Sequence, residues 1–381
     1  MPASTRAMID RLIALPSVSS TVEELDMGNR AVIDALATWL EDDGWRVTAM
    51  PIPGRPGKAN LLASIGPERE GGLLLSGHAD TVPYDEGKWS SDPFVATERD
   101  GRLYGLGTSD MKAFLALAIA AVRGIDRRAL KEPVHLLATA DEEVGMDGAR
   151  ILTELPARRA IVGEPTANRP VRLHKGIAMG RLALFGRSGH SSDPALGASA
   201  LEGMLDAMLV LRELREELAE TRNDELHPPV PTLNLGRVEG GDSANRICPS
   251  CHLDYDLRVL PGMDAGAIQA ELRRRVLARL EGRGLRLETP PMFEPVPPFE
   301  TPPDAALVIA LEELTGETSG AVSFGTEAPF FQRLGVETVV MGPGDIDVAH
   351  QPDEFLALDR IDPTIDLLQK AIDRFCLRPA P

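Results

Sequence analysis

Five short stretches of this chain place histidines and carboxylates where a run of apolar residues ends. "LLLSGHADTVP" leads from three leucines into His78 and Asp80; "YGLGTSDMK" carries Asp110; "TADEE" carries Asp141, Glu142 and Glu143; "VGEPT" carries Glu164; "VAHQPDEF" carries His350. Taken singly, each has an ordinary reading as a strand cap, a solvated pair of charges or a packed histidine. Together they supply two imidazoles and more than three carboxylates. Adjacent carboxylates in a tight turn repel one another, and a cation relieves that repulsion. Imidazole and carboxylate are donors that zinc-type ions accept. The set therefore reads as a site for two divalent ions bridged by one carboxylate and one water, the water being acidified toward neutrality for hydrolysis.

Such a site needs rigid elements behind every ligand. The pattern predicts a helix over 22–43, strands over 45–50, 59–65 and 72–77, and a strongly apolar helix over 109–125. Thr108 or Ser109 is the expected N-cap of that last helix. Asp110 then falls in its first turn, where the helix dipole favours an ionised carboxylate by ~0.3–1 kcal/mol. A continuous apolar strand over 134–140, a short helix over 148–155 and a strand over 160–163 follow. This alternation means an α/β sheet covered on both faces. In open α/β sheets ligands bind beyond the carboxyl ends of the strands, where all five clusters fall.

The texture changes near residue 178. From there the order is strand, helix, strand, strand, helix, strand, as in a compact α+β domain. The proline-rich "TPPMFEPVPPFETPPD" (289–304) reads as a linker, after which the α/β pattern resumes. One domain is thus expected to be inserted in another: residues 1–177 and 293–381 form the first, 178–292 the second.

Composition narrows the function. The chain has 381 residues, 43 % hydrophobic and 26 % charged, and a net charge of −18. That charge repels nucleic acid and anionic membranes, so neither is expected as a partner. No apolar run approaches the ~20 residues that span a bilayer, and Arg6, Asp10 and Arg11 interrupt any signal-peptide core; a cytoplasmic enzyme is expected. Three cysteines, Cys248, Cys251 and Cys376, do not make a disulfide scaffold. "CPSC" has no second pair to complete a zinc site and lies in an alternating, strand-like segment, so its thiols read as packing groups. No complete G-x-S-x-G elbow and no H-E-x-x-H motif appears. His135, inside an apolar strand, reads as a core histidine, and His227 and His252 as surface or packing residues.

The strings "SGHADTVP", "GLGTSDMK", "TADEEVG", "VGEPT", "GHSSDPALGASA", "NRI" and "AHQPDE" span nearly the whole chain. Together they resemble the dizinc amidohydrolases and exopeptidases that include acetylornithine deacetylase, succinyl-diaminopimelate desuccinylase, aminoacylase and glutamate carboxypeptidase. Within that family "PTLNLGRVEGGDSANRICPSC", "LDYDLRVLPGM" and "TEAPF" look most like the acetylornithine deacetylases. The desuccinylase branch has Ser-Gly-Gly-Thr-Ser-Asp where this chain reads "SFGTEAPF". Ala113 departs from the family's "DMKG" at a helix position with no assigned role.

The resemblance implies a zinc-exopeptidase-like α/β catalytic domain, with helices on both faces of a mixed sheet, and an inserted ferredoxin-like α+β lid that also dimerises. It implies that His78 binds one zinc and His350 the other, that Asp110 bridges them, and that Glu143 and Glu164 complete the separate ions; cobalt suits the same ligands. Asp80 would orient His78, and Glu142 would act as general base. His190, from the partner subunit of a homodimer, would stabilise the oxyanion. Arg258 would take the substrate α-carboxylate, with Asn245 as a polar partner. Glu327 is our expectation for attracting a cationic side-chain amine. The implied reaction is hydrolysis of N-acetyl-L-ornithine to ornithine and acetate, as in arginine biosynthesis. The same chemistry on N-acetylcitrulline, N-succinyl-diaminopimelate or other N-acyl amino acids is the alternative. A non-catalytic relative that only binds such a metabolite is disfavoured, because Glu142 and all five ligands are present.

Overall fold

The computed structural model describes residues 3–378. They divide into two compact units. The first is the chain up to Arg172 together with Thr301–Gly320 and the chain from Thr326; the second is Leu173–Glu300 with Ala321–Gly325.

Up to Arg172 the chain forms α1 (Thr5–Ile13), α2 (Arg30–Asp42), β1 (Arg46–Pro51), β2 (Ala59–Ile65), β3 (Leu73–His78), β4 (Thr97–Arg99), β5 (Arg102–Tyr104), α3 (Lys112–Arg123), β6 (Val134–Thr139), α4 (Asp147–Arg150) and β7 (Arg159–Pro165), and it enters β8 (Val171–His174). The second unit contributes β9 (Gly176–Phe185), α5 (Ala200–Leu218), β10 (Thr232–Gly240), β11 (Ser250–Val259), α6 (Ala265–Arg279), β12 (Arg286–Glu288) and β13 (Phe299–Glu300). The chain then forms α7 (Ala306–Thr315), β14 (Gly320–Val322), α8 (Ala328–Arg333), β15 (Glu337–Gly342), β16 (Phe355–Ala357) and α9 (Ile361–Ile372).

The sheet of the first unit runs β1-β2-β6-β3-β7-β15. Its inner members β6, β3, β7 and β15 are parallel, and β1 and β2 add antiparallel. Every residue of β3 and β6 is buried, as expected of parallel strands covered on both faces. Helix α3 is buried from Lys112 through Ile119 and presses onto the strand ends. A Cβ at Gly163 would lie 2.2 Å from the Phe114 ring, so β7 accepts the helix only with glycine there. Four parallel strands therefore end together: β3 at His78, β6 just before Asp141, β7 around Glu164, and β15 shortly before His350.

The second unit has an antiparallel sheet in the order β10-β11-β9-β12. Burial alternates along β11, which presents one face to the apolar cluster that α5 and α6 share, including Leu184, Met204, Leu211, Leu253 and Val276. This is the ferredoxin-like arrangement. Ser199 caps α5, accepting the Glu202 N–H at 3.3 Å. Asp264 caps α6, accepting from Gly266 and Ala267.

Three sequence expectations shift. The 22–43 helix begins only at Arg30. The Asp26 carboxylate takes the Ser20 N–H and the Lys58 ammonium, and Met27 N–H donates to the Val18 carbonyl; these bonds hold the preceding residues as a turn. The 109–125 helix begins at Lys112, so Asp110 precedes the first turn and neither Thr108 nor Ser109 is its cap. The proline-rich stretch is not a free linker, since Pro291 pairs with Gly180 and Val296 with Ile177 along β9. The division between units accordingly falls at 300/301, and at its other end at 172/173; the sequence texture placed these junctions at 292/293 and 177/178. No helix among the described residues is long and apolar enough to cross a membrane.

Candidate metal centre

The parallel strand ends of the first unit bring the acidic and histidine clusters together. Ligating atoms of His78, Asp110 and Glu164 lie within 4.8 Å of one another, and so do those of Asp110, Glu143 and His350. Asp110 belongs to both groups: its Oδ1 is 3.0 Å from His78 Nε2, and its Oδ2 is 3.2 Å from His350 Nε2. His350 Nε2 is also 3.1 Å from Glu143 Oε2. Glu142 belongs to neither group.

The donor set fits divalent cations on this geometry. His78 Nδ1 faces the Asp80 backbone carbonyl at 3.0 Å and donates to it. In a neutral ring the Nε2 lone pair then points at the Asp110 carboxylate, and only a proton or a metal ion between them makes that contact favourable. Glu143 Oε1 and Glu164 Oε1 are buried and meet no hydrogen-bond donor, a costly state for a carboxylate without a cation. Two imidazole nitrogens and three carboxylates are a zinc-type ligand set.

The electrostatics follow the crowding. Burial, then the Glu164 charge, pushes the Glu142 carboxyl well above the usual range. Burial and the Asp110 charge do the same to Glu164, and raise Glu143 more modestly. Burial opposes a charged His78, but the hydrogen bond and charge of Asp110 outweigh it and hold the ring well above its ordinary value. The bonds to Asp110 and Glu143 raise His350 to about 10.

Asp80 plays a different part from the one expected. Its carboxylate oxygen is 3.7 Å from His78 Nδ1, too far for a hydrogen bond, and its main-chain carbonyl orients the ring instead. With one residue between them, that carbonyl is the nearer acceptor. The Asp80 carboxylate turns to the end of β6 and accepts the N–H groups of Glu142 and Glu143 at 3.3 and 3.2 Å. It thus fixes the turn that bears both glutamates. Glu327 is 0 % exposed. Burial raises its carboxyl to about 7, opposed by the neighbouring Thr139 hydroxyl; in this conformation it offers no open face to a substrate amine.

The second unit holds the other expected residues. His190 Nδ1 accepts the Ser192 N–H at 3.2 Å, so a neutral ring keeps its proton on Nε2. The Asn245 side-chain oxygen accepts from Ser243 Oγ at 2.6 Å. Arg258 donates from Nε to both oxygens of Asp256 at 3.0 Å. The ordinary readings of the remaining groups hold for His135, which meets Ser64 Oγ and the Gly71 carbonyl and is pushed by burial to about 4. The three cysteines are free and buried.

Three functional neighbours escaped the sequence reading. Lys58, 6 % exposed, pairs with Asp141 and with Asp26. Asp141, whose φ is 56°, also accepts from Ser19 Oγ at 2.6 Å. This buried cluster anchors the corner from which Glu142 and Glu143 project, and no spacing in the sequence announces it. Lys112 donates to the Leu15 carbonyl at 2.9 Å, and Glu354 cradles the loop before Asp110; both lie inside the strings "GLGTSDMK" and "AHQPDE", the signal that could have found them. Removing one member of a buried ion pair strands the other's charge. Lys58→Met is therefore expected to destabilise the protein by about 3–5 kcal/mol in chemical denaturation; a loss below about 1 kcal/mol, the range of a surface pair, would contradict the anchoring role.

Comparison with known proteins points the same way. A sequence model of "Peptidase family M20/M25/M40" matches residues 74–374. Among solved structures, a tripeptidase from Staphylococcus aureus superposes with a TM-score of 0.74 at 18 % identity, over 98 % of this chain and 99 % of that one. An M20 family metallo-carboxypeptidase from Sulfolobus solfataricus gives 0.73 at 19 % identity, over 97 % and 98 %. A protein from Bacillus subtilis described as a dinuclear metal binding peptidase of the M20 family gives 0.65 at 16 %, over 97 % of each chain. At these identities the structural matches speak for the fold.

Proposed function

Since the chain belongs to peptidase family M20/M25/M40, we propose that it is a two-metal amide hydrolase acting on small N-acyl amino acids, with N-acetyl-L-ornithine as the first-choice substrate. The observation that carries this reading is the pair of ligand groups sharing Asp110 at one edge of the parallel sheet. His78, Asp110 and Glu164 would hold one ion and Asp110, Glu143 and His350 the other, zinc before cobalt. Bound there, the ions supply an acidified water and polarise the scissile carbonyl.

The protein's own residues do the rest. Glu142, held beside the ligands by the Asp80 bonds to its turn, takes a proton from the attacking water and returns it to the leaving amine. His190, whose Nδ1 accepts the Ser192 N–H, would present its Nε2–H as a donor to the developing oxyanion. Arg258 would take the substrate α-carboxylate, and the Asn245 amide, its oxygen already engaged, would donate beside it. The preference for N-acetylornithine rests on the deacetylase-like strings around Asn245, Arg258 and Glu327. Those strings do not exclude N-acetylcitrulline, N-succinyl-diaminopimelate or broader N-acyl amino acids.

A homodimer is part of the proposal. Residues 234–240 of β10 are exposed along an edge strand, and Val238, Leu201 and Leu205 are 52, 49 and 57 % exposed. A bare strand edge with apolar neighbours is a surface that proteins cover, and a second copy would cover it and bring His190 of the partner subunit to the substrate.

The test is a turnover panel on zinc-reconstituted protein with N-acetyl-L-ornithine, N-acetylcitrulline, N-succinyl-diaminopimelate and N-acetylmethionine. The expected result is the highest kcat/KM on N-acetylornithine. Faster turnover of another member would reassign the substrate, and hydrolysis of none would sink the reading.

A further inference from the structure

The loop that presents Asp110 is built around a second, buried carboxylate. Glu354, 1 % exposed, precedes β16, whose Phe355 pairs with Tyr104 of β5; the loop to Asp110 leaves the end of β5. The Glu354 carbonyl accepts the Gly105 N–H at 3.0 Å. Its carboxylate accepts the Gly107 N–H on both oxygens at 3.1 and 3.0 Å, the Ser109 N–H at 2.7 Å and the Asp110 N–H at 3.0 Å. Three amides thus converge on one side chain. An ionised carboxylate has enough lone pairs for all of these contacts and no hydrogen to oppose them. Ser109 adds a tie to Asp345, donating to its carbonyl at 3.1 Å and accepting its N–H at 2.8 Å.

We propose that Glu354 is a positioning residue of the metal centre, setting the Gly105–Asp110 loop so that Asp110 turns one oxygen to each ligand group. The inference rests on the two-ion reading above. Glu354 lies four positions after His350, so one segment delivers a ligand of one group and fixes the carboxylate common to both. Glu354→Gln keeps the side chain's size but replaces one acceptor oxygen with an NH2 donor, which opposes the converging N–H groups. The loop then loses its register, and Asp110 no longer bridges. Outer partners of metal ligands are worth ~10–100-fold in metal affinity, and because both ions share Asp110 both weaken.

The experiment is calorimetric titration of chelator-stripped, full-length protein with Zn(II), alongside the visible absorption of the Co(II) form. Val122→Ala, a core truncation in α3 remote from the ligands, controls for general loss of stability. The expected result is about 10–100-fold weaker Zn(II) binding and an altered Co(II) spectrum in Glu354→Gln, with wild-type affinity in Val122→Ala despite its lower melting temperature. Wild-type binding by Glu354→Gln, or equal weakening in Val122→Ala, overturns the positioning role while the two-ion reading stands. A wild-type protein that binds no Zn(II) removes the two-ion reading, and this inference with it.

Discussion

Glu142→Gln is expected to lower kcat by about 10²–10⁴ while the protein still binds two zinc ions. Glu142 stands in neither ligand group, yet its neighbour Glu143 stands in one, and the Asp80 carboxylate holds the backbone of both. One carboxylate of the doublet thus falls in a candidate ligand group, and the proposed function leaves the other to move protons. Burial and the Glu164 charge hold the Glu142 carboxyl well above the ordinary range, the direction that suits a group asked to accept and return a proton. Glutamine keeps the shape and removes that capacity. Steady-state kinetics with zinc content measured on the same sample checks it. An unchanged kcat would remove Glu142 from the chemistry, and a loss of zinc would make it a ligand.

The second large effect is on stability. Asp80, Asp110, Glu143 and Glu164 are brought together around the two histidines, with Glu327 buried beside them. Like charges at such spacing disfavour the folded state unless cations join them. Ions that bind only the folded protein stabilise it by ~2.7 kcal/mol per site at a hundredfold excess over Kd and ~4.1 kcal/mol at a thousandfold excess. Adding Zn(II) to chelator-treated protein should therefore raise its melting temperature by several degrees. The second unit contains none of these ligands, so any separate transition it shows should not move. Identical melting in chelator and in zinc would leave the carboxylate cluster without its partner.

How much of this was legible from sequence differs from residue to residue. His78, Asp110, Glu164 and His350 could be placed together because each follows or precedes a strongly apolar run, and parallel strands carry such runs to a common edge. The α+β character of residues 178–292 was likewise visible in the alternation of "CHLDYDLRV", which became β11. What local pattern could not give was the start of α2 and α3. Helical periodicity extends through 22–29 and 109–111, but contacts outside the helical pattern hold those segments: Glu354 takes the Ser109 and Asp110 N–H groups, while Met27 N–H donates to the Val18 carbonyl and the Asp26 carboxylate takes the Ser20 N–H and the Lys58 ammonium. The same blindness applies to Lys58, whose partners lie 32 and 83 positions away, and to Asp80, whose main-chain carbonyl rather than its carboxylate meets the His78 ring, where the family resemblance implied the carboxylate. The burial of Glu327 was likewise invisible, because sequence reports a charge and not its exposure.

The account turns on two ions held through one shared carboxylate, and the most direct measurement is the zinc content of the purified protein after equilibration in buffered Zn(II). The expected result is two ions per chain in the wild type and, because Asp110 belongs to both groups, loss of both in Asp110→Asn. One ion or none in the wild type, or two retained in Asp110→Asn, would contradict it.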